Sequence, residues 1–418
     1  MMNDNFKLRT ITAFIDRKNV EILSRFSKET SLFEDNGIPV RTSRVALDFR
    51  DFQDDSFVEF SQLIEELGFW GYCISFDDPL EKQQITAAKK IISETVNGFA
   101  NFSLTDSGRS LDSNHVEPCV DLIKAVSERN NGIDNFRLGF SFGLDNETPF
   151  FPYSKKLSTE GFSVGIEYVD ICKEIIAKNS RKPMDIIREE LLSALGNIVE
   201  KIMEICAEIE NKSGLEFLGV DLSLAPYPYP LEDQSIVDLI ETLGNIGRSR
   251  GDREFRFGMS GSMFLHTFIT SVIKEIERNE KYKTTGFNGV MYSLLEDTGL
   301  SKRFADGSIG LSDLLLTSTT CGCGVDMVPI ADIGSKKVIS SIFFDVYAIS
   351  LALNKPLGIR MLPIPNSRPG DQTSFRHLFF SNTTLAEVSS GISFNHLPAQ
   401  MSERSSVTLT KRGDGNFE

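Results

Sequence analysis

Residues Thr317–Pro329 read TSTTCGCGVDMVP, with thiols at Cys321 and Cys323 alternating with Gly322 and Gly324 ahead of a carboxylate at Asp326. Glycine admits tight, left-handed and closely approached backbone that other residues resist. The run therefore predicts a sharp loop with a thiol at its tip. A plain tight turn with small buried cysteines is the competing reading, because free Cys commonly behaves as a small hydrophobe.

Outward from this loop, strand-like and helix-like runs alternate. Leu311–Ser318 predicts a short helix before it, Ser335–Asn354 a long apolar helix after it, and Lys355–Pro365 (KPLGIRMLPIP) a late strand. From the N-terminus, period-two runs predict strands at Lys7–Asp16, Ile38–Phe49, Gly71–Phe76, Asn101–Thr105, Asn135–Leu144 and Leu215–Leu224. Helical spacing predicts helices at Val20–Asp35, Phe57–Leu67 (capped by Asp55 or Ser56), Gln84–Asn97, His115–Arg129, Phe162–Lys178 and Pro183–Ser213. Thr148–Tyr153 (TPFFPY) and Ala225–Pro230 (APYPYP) are proline-broken loops. Repeated alternation argues for α/β architecture around a largely parallel sheet or barrel. No low-complexity linker divides the chain, so one domain is expected over 1–397, with a polar tail at 398–418.

A net charge of −15 disfavours nucleic acid and anionic membranes as partners. No window of 18 apolar residues suggests a membrane span, and the start, MMNDNFKLRTITAF, lacks a signal-peptide pattern. The six cysteines are scattered except for the last two, which predicts reduced thiols and a cytoplasmic location. A small-molecule ligand is the expected partner, and self-association into a homo-oligomer is compatible with it.

Several acids follow strand-like runs: Asp221 in GVDLSLAP beside Ser223, Glu296 and Asp297 in SLLED, and Asp326 in GVDMVP. Side chains at the C-terminal ends of parallel strands converge on ligands. These oxygens suit a divalent cation, a general base or a bound ammonium, and equally suit helix caps and turn anchors. Arg360 lies in a buried-looking strand and so needs a carboxylate partner or an anionic ligand, and Arg9, Arg41 and Arg44 raise the same question. The four histidines form no zinc motif, and His266 reads as a core residue. No P-loop, dinucleotide fingerprint or G-x-S-x-G elbow occurs.

An ordered set of segments resembles the domain-of-unknown-function 711 family, related to UPF 0210 and described as pyruvate-formate-lyase-like. They are LRTIT (8–12), VRTSRVAL (40–47), NFRLGF (135–140) with PFFP (149–152), FSVGIE (162–167), GVDLSLAP (219–226), GFNGVMYSLLED (286–297), CGCGVDMVP (321–329) and KPLGIRMLPIP (355–365). The resemblance implies a ten-stranded α/β barrel like those of the pyruvate-formate lyases and ribonucleotide reductases, with an internal cysteine loop. Cys321, Gly322, Gly324 and Asp326 match the family's CGxG-D-x-x-P pattern, whereas Cys323 departs from it. The tail, with Arg412-Gly413, lacks the context of a glycyl-radical motif. The expectation is a cysteine-dependent enzyme of unknown reaction on a small polar metabolite, without a glycyl radical, or alternatively a non-catalytic small-molecule-binding regulator. Cys321, Asp326 and Glu296 are the expected catalytic residues. Asp221, Ser223, Arg360, Asp297, Gly322 and Gly324 are expected to bind substrate. Cys321 is expected to face the barrel cavity within reach of Asp221, Glu296 or Arg360, with Cys323 pointing elsewhere. No cofactor is assigned, with a divalent cation as the candidate occupant of the acids.

Overall fold

The computed structural model describes residues 6–17, 19–52, 56–77, 80–105, 109–157, 159–228, 234–249, 251–332, 335–387 and 400–401. Asp55, Tyr229, Pro230, His396 and the tail beyond 401, including Arg412 and Gly413, lie outside the described residues. The strands are β1 (Lys7–Phe14), β2 (Ser43–Asp48), β3 (Gly71–Asp77), β4 (Gly98–Ser103), β5 (Leu111–Asp112), β6 (Leu138–Phe142), β7 (Gly161–Glu167), β8 (Glu216–Asp221), β9 (Gly324–Ala331), β10 (Leu357–Ile364) and β11 (Gln400–Met401). Nine of them form one sheet in the order β8-β7-β1-β2-β3-β4-β6-β10-β9, while β5 and β11 pair separately. Strands β1, β2, β3, β4 and β6 run parallel. The pair β7–β8 joins β1 antiparallel, and the pair β10–β9 joins β6 antiparallel. The architecture is thus mixed α/β.

The ladder counts nine strands, with β8 and β9 at its edges, and these nine do not close on one another. Between those edges lies a segment bridged at Thr284 to Val220, at Val290 to Leu224 and at Ser293 to Asp326. Phe162–Lys178, expected to be one helix, is strand β7 followed by a helix at Val169–Lys178. In FSVGIE, Phe162, Val164 and Ile166 alternate with Ser163 and Gly165, which is a period of two. The apolar run continuing into the true helix masks that change of period.

The sheet's two faces differ in kind. Ile11, Ala13, Tyr72, Ile74, Phe76, Phe102, Phe140, Phe162, Val164 and Ile359 belong to the main apolar core, and helices pack against several of the same strands. The intervening residues are small or polar: Thr10, Thr12, Cys73, Asn101, Gly139, Ser141, Ser163, Gly165 and Gly358. Against this second face lies the segment Thr148–Ser154. Thr12 donates to the Pro149 carbonyl (3.0 Å), Asn101 to that of Tyr153 (3.2 Å), and the Cys73 thiol to that of Pro152 (3.3 Å). A Cβ on Gly139 would come within 2.7 Å of Pro152, and one on Gly165 within 2.7 Å of Phe150. On Gly358 it would strike the Tyr153 ring. The glycines on this face therefore make room for the TPFFPY segment, which sequence alone reads only as a turn.

Candidate functional site

Two irregularities in the sheet aim charge at the space beside that segment. The β1–β7 register shifts between Leu8 and Thr10, and the β10–β9 register shifts between Ile359 and Met361. Such bulges bend a strand and re-aim its side chains. Arg9 and Asp326 fall at these breaks and both line a cavity of about 60 Å³. Met327, next to Asp326, takes a left-handed φ of 55°, in keeping with the break.

The Arg360 guanidinium grips Asp326 with two parallel bonds, Nε to Oδ1 at 2.5 Å and Nη2 to Oδ2 at 2.6 Å. Nη2 also donates to Glu296 Oε2 at 3.1 Å. The Tyr153 hydroxyl donates to Asp326 Oδ1 at 2.6 Å. Burial would raise the Glu296 carboxyl, but Arg360 and Arg9 together hold it below the usual carboxylate range. Burial, reinforced by Asp326, pushes the Tyr153 phenol well up, so this hydroxyl stays a donor. Arg44 is pulled down to about 9, first by burial and then by Arg9, and remains charged at neutral pH. Around these groups stand Trp70, Phe99, Phe136, Phe150, Phe151 and Phe379.

Cys321 lies in a different place. It sits, 2% exposed, in the bend between the helix Leu311–Thr317 and β9, and lines a cavity of about 600 Å³ that shares no lining residue with the first. Lys274, Arg278 and Lys355 also line it. Lys355 Nζ donates to the carbonyls of Ser318 (2.9 Å) and Cys321 (2.5 Å), holding a cation beside the thiol. The Gly324 N–H donates to Cys321 Sγ at 3.3 Å. Gly324 has a φ of 88°, and a Cβ there would strike the Gly358 carbonyl, so this turn needs glycine. The neighbouring Cys323 side chain, whose own thiol donates to the Tyr292 carbonyl at 3.6 Å, draws the Cys321 thiol down to about 6, Lys355 and the backbone assist, and burial opposes. The same interaction pushes Cys323 up. Cys323 packs among Phe150, Tyr153, Ala225 and Met291, residues that also line the smaller cavity.

The structure thus brings together three of the sequence-picked residues, Arg360, Asp326 and Glu296, and places Cys321 with Gly322 at the other cavity. Cys321 is among the residues lining the larger cavity, which none of Asp221, Glu296 and Arg360 lines.

Asp221 and Asp297 belong to neither. Asp221 accepts from Thr148 Oγ1 (2.9 Å), Ser223 Oγ (2.6 Å) and the N–H groups of Ser223, Phe287 and Asn288, tying β8 to the two neighbouring loops. Asp297 caps two helices at once, through Leu300 N–H on one and Ile236 N–H and Ser235 Oγ on the other. Burial raises both carboxyls, Asp297 to about 6. Among the described residues no three His, Cys, Asp or Glu side chains converge as metal ligands. Tyr153, Trp70 and Lys355 went unremarked in the sequence. The only signal for Tyr153 was the glycine complement on the opposing strands.

Comparison with known proteins places these features in a lineage. The family described as "Uncharacterised ACR (DUF711)" matches residues 1–383. A UPF0210 protein of Pyrobaculum aerophilum is 24% identical over 295 residues, 70% of this chain and 62% of that protein. Another, from Pyrobaculum arsenaticum, is 32% identical over 181 residues, 43% of this chain and 36% of that protein. A third, from Leuconostoc mesenteroides, is 23% identical over 325 residues, 75% and 70% of the respective chains. The chain therefore spans less than two thirds of the first two relatives' length.

Proposed function

This chain belongs to the DUF711 family, and from that premise we propose that it is a thiol-dependent enzyme acting on a small, negatively charged polar metabolite, with Cys321 as the attacking group. The observation that carries this is the place of Cys321, which lines a roomy cavity and whose carbonyl accepts from the Lys355 ammonium. A thiolate, not a thiol, is the nucleophile, and adjacent positive charge favours it. Lys274 and Arg278 line the same cavity and would draw an anionic substrate. The chemistry needs no glycyl radical. Incubating the protein with a cell-derived metabolite pool and following each component by mass spectrometry tests the reading. Consumption of a component that stops in Cys321→Ser supports it, and saturable binding without consumption favours a non-catalytic regulator. That second reading draws on the arginine-lined cavity, which offers recognition groups without a nucleophile.

The fold behind this site is a pyruvate-formate-lyase-like barrel in the same proposal. The segment from Lys283 to Leu294 would be its tenth strand. On one side Thr285 and Met291 donate to Val220 and Leu224, and on the other Leu294 donates to Asp326. Hydrogen exchange at those amides as slow as in β1–β4 is the expected result, and fast exchange would leave the sheet open. The six cysteines are all unpaired in the structure, in keeping with a reducing, cytoplasmic setting. No helix among the described residues is long and apolar enough to cross a membrane.

A further inference from the structure

The smaller cavity carries more positive charge than its walls neutralise. Three guanidiniums line it, Arg9, Arg44 and Arg360, against the two carboxylates Asp326 and Glu296. Asp326 is taken up by Arg360 and Tyr153, and Glu296 accepts a further bond from Arg360. Arg44 gives its Nε to Thr42 Oγ1 at 3.0 Å and makes no ion pair among the described residues. Arg9 Nη1 is buried and has no hydrogen-bond partner among them. Both side chains are inside the protein, 9% and 7% exposed.

The fold elsewhere satisfies a buried arginine fully. Arg137 donates to the carbonyls of Ile92, Thr95 and Gly98. A buried donor left without a partner is destabilising, the more so when it is charged. Stacking holds the two cavity arginines in place, Arg9 over Tyr227 at 4.5 Å and Arg44 over both Trp70 and Phe151 at 4.9 Å. Stacking uses the flat faces of a guanidinium and leaves its N–H edge for a planar oxyanion.

Size and charge narrow the occupant. A volume of about 60 Å³ holds roughly four to six water-sized bodies. One excess positive charge matches a monoanion, whereas a phosphate dianion would leave surplus negative charge beside Glu296. The remaining wall, with Phe99, Phe136, Phe150 and Met291, is apolar. We infer that this cavity binds a short-chain monocarboxylate, its carboxylate on Arg9 and Arg44 and its hydrocarbon end against the aromatic wall. This site is separate from the Cys321 cavity, and its occupancy does not depend on thiol chemistry.

The chain contains one tryptophan, and Trp70 lines this cavity, so its emission reports occupancy. Wild-type protein is titrated with propionate, butyrate and inorganic phosphate at matched ionic strength. A saturable change in Trp70 emission with the carboxylates is expected, with phosphate weaker. Arg9→Gln should weaken carboxylate binding by about tenfold or more, the loss of one charged hydrogen bond. Arg9→Lys, which keeps the charge without the planar fork, should fall between, and Cys321→Ser should bind as wild type. Thermal melts identify folded variants. Should Arg9→Gln fail to fold, the wild-type titration and Arg9→Lys still decide. No saturable change with either carboxylate, tighter binding of phosphate, or unchanged affinity in a folded arginine variant would overturn the inference.

Discussion

The two cavities face opposite sides of one thin partition. Phe287, Asn288 and Gly289 line the larger, while Met291 and Ser293, a few residues on, line the smaller. Along the neighbouring stretch, Cys321 and Gly322 line the first, and Asp326 lines the second. On one side the charged groups are locked to each other and to aromatic rings. On the other, Cys321 and Lys355 are among the residues that line a larger, roomier cavity. The difference separates recognition by fixed groups from reactivity by a group whose charge can change.

The largest effect that could break this comparison is on the locked side. Asp326→Ala leaves Arg360 buried without its main partner, and removing one member of a buried pair costs about 3–5 kcal/mol. Urea denaturation should report a loss of that size. A loss under about 1 kcal/mol would mean that the pair is not built as described. Next in size is Gly358→Ala, whose new methyl strikes the Tyr153 ring. Overpacking of this kind costs about 1–3 kcal/mol, and the same measurement applies. An unperturbed variant would detach the TPFFPY segment from the sheet.

A smaller, pH-dependent effect belongs to Asp297, which faces neither cavity. Its carboxyl is raised to about 6 in the fold, so folding favours its protonated form. Its contribution is full below its unfolded value near 3.9 and is lost as pH rises through about 6. The stability difference between wild type and Asp297→Asn should therefore shift against the wild type across that window, read from urea midpoints. A difference independent of pH would contradict the burial argument.

Much of this was legible in the chain. Arg360 announced a need for a carboxylate or anionic partner, and Asp326 and Glu296 stood out as strand-end acids. Asp221 and Asp297 carried the same surface pattern, yet folding turned them toward backbone N–H groups, a competition that sequence cannot arbitrate. The glycine-bracketed thiol was visible too. Its separation from Arg360 was not, because the partition depends on which face each residue of a strand presents. Two bulges decide that for Arg9 and Asp326. FSVGIE lost its strand reading to the helix that follows it.

The central claim, that Cys321 is the reactive group of the open cavity, is tested most directly by the pH dependence of its alkylation. Iodoacetamide labelling of each cysteine is followed by mass spectrometry of peptides across the pH range. Labelling at Cys321 should rise with a midpoint near pH 6, ahead of Cys73 and Cys119, whose thiols burial pushes well above the ordinary range. In Cys323→Ala the midpoint should move up toward the ordinary thiol value, because the largest influence lowering it, the Cys323 side chain, is gone. A Cys321 that labels no faster than the other cysteines below pH 8, with or without Cys323, would contradict the account.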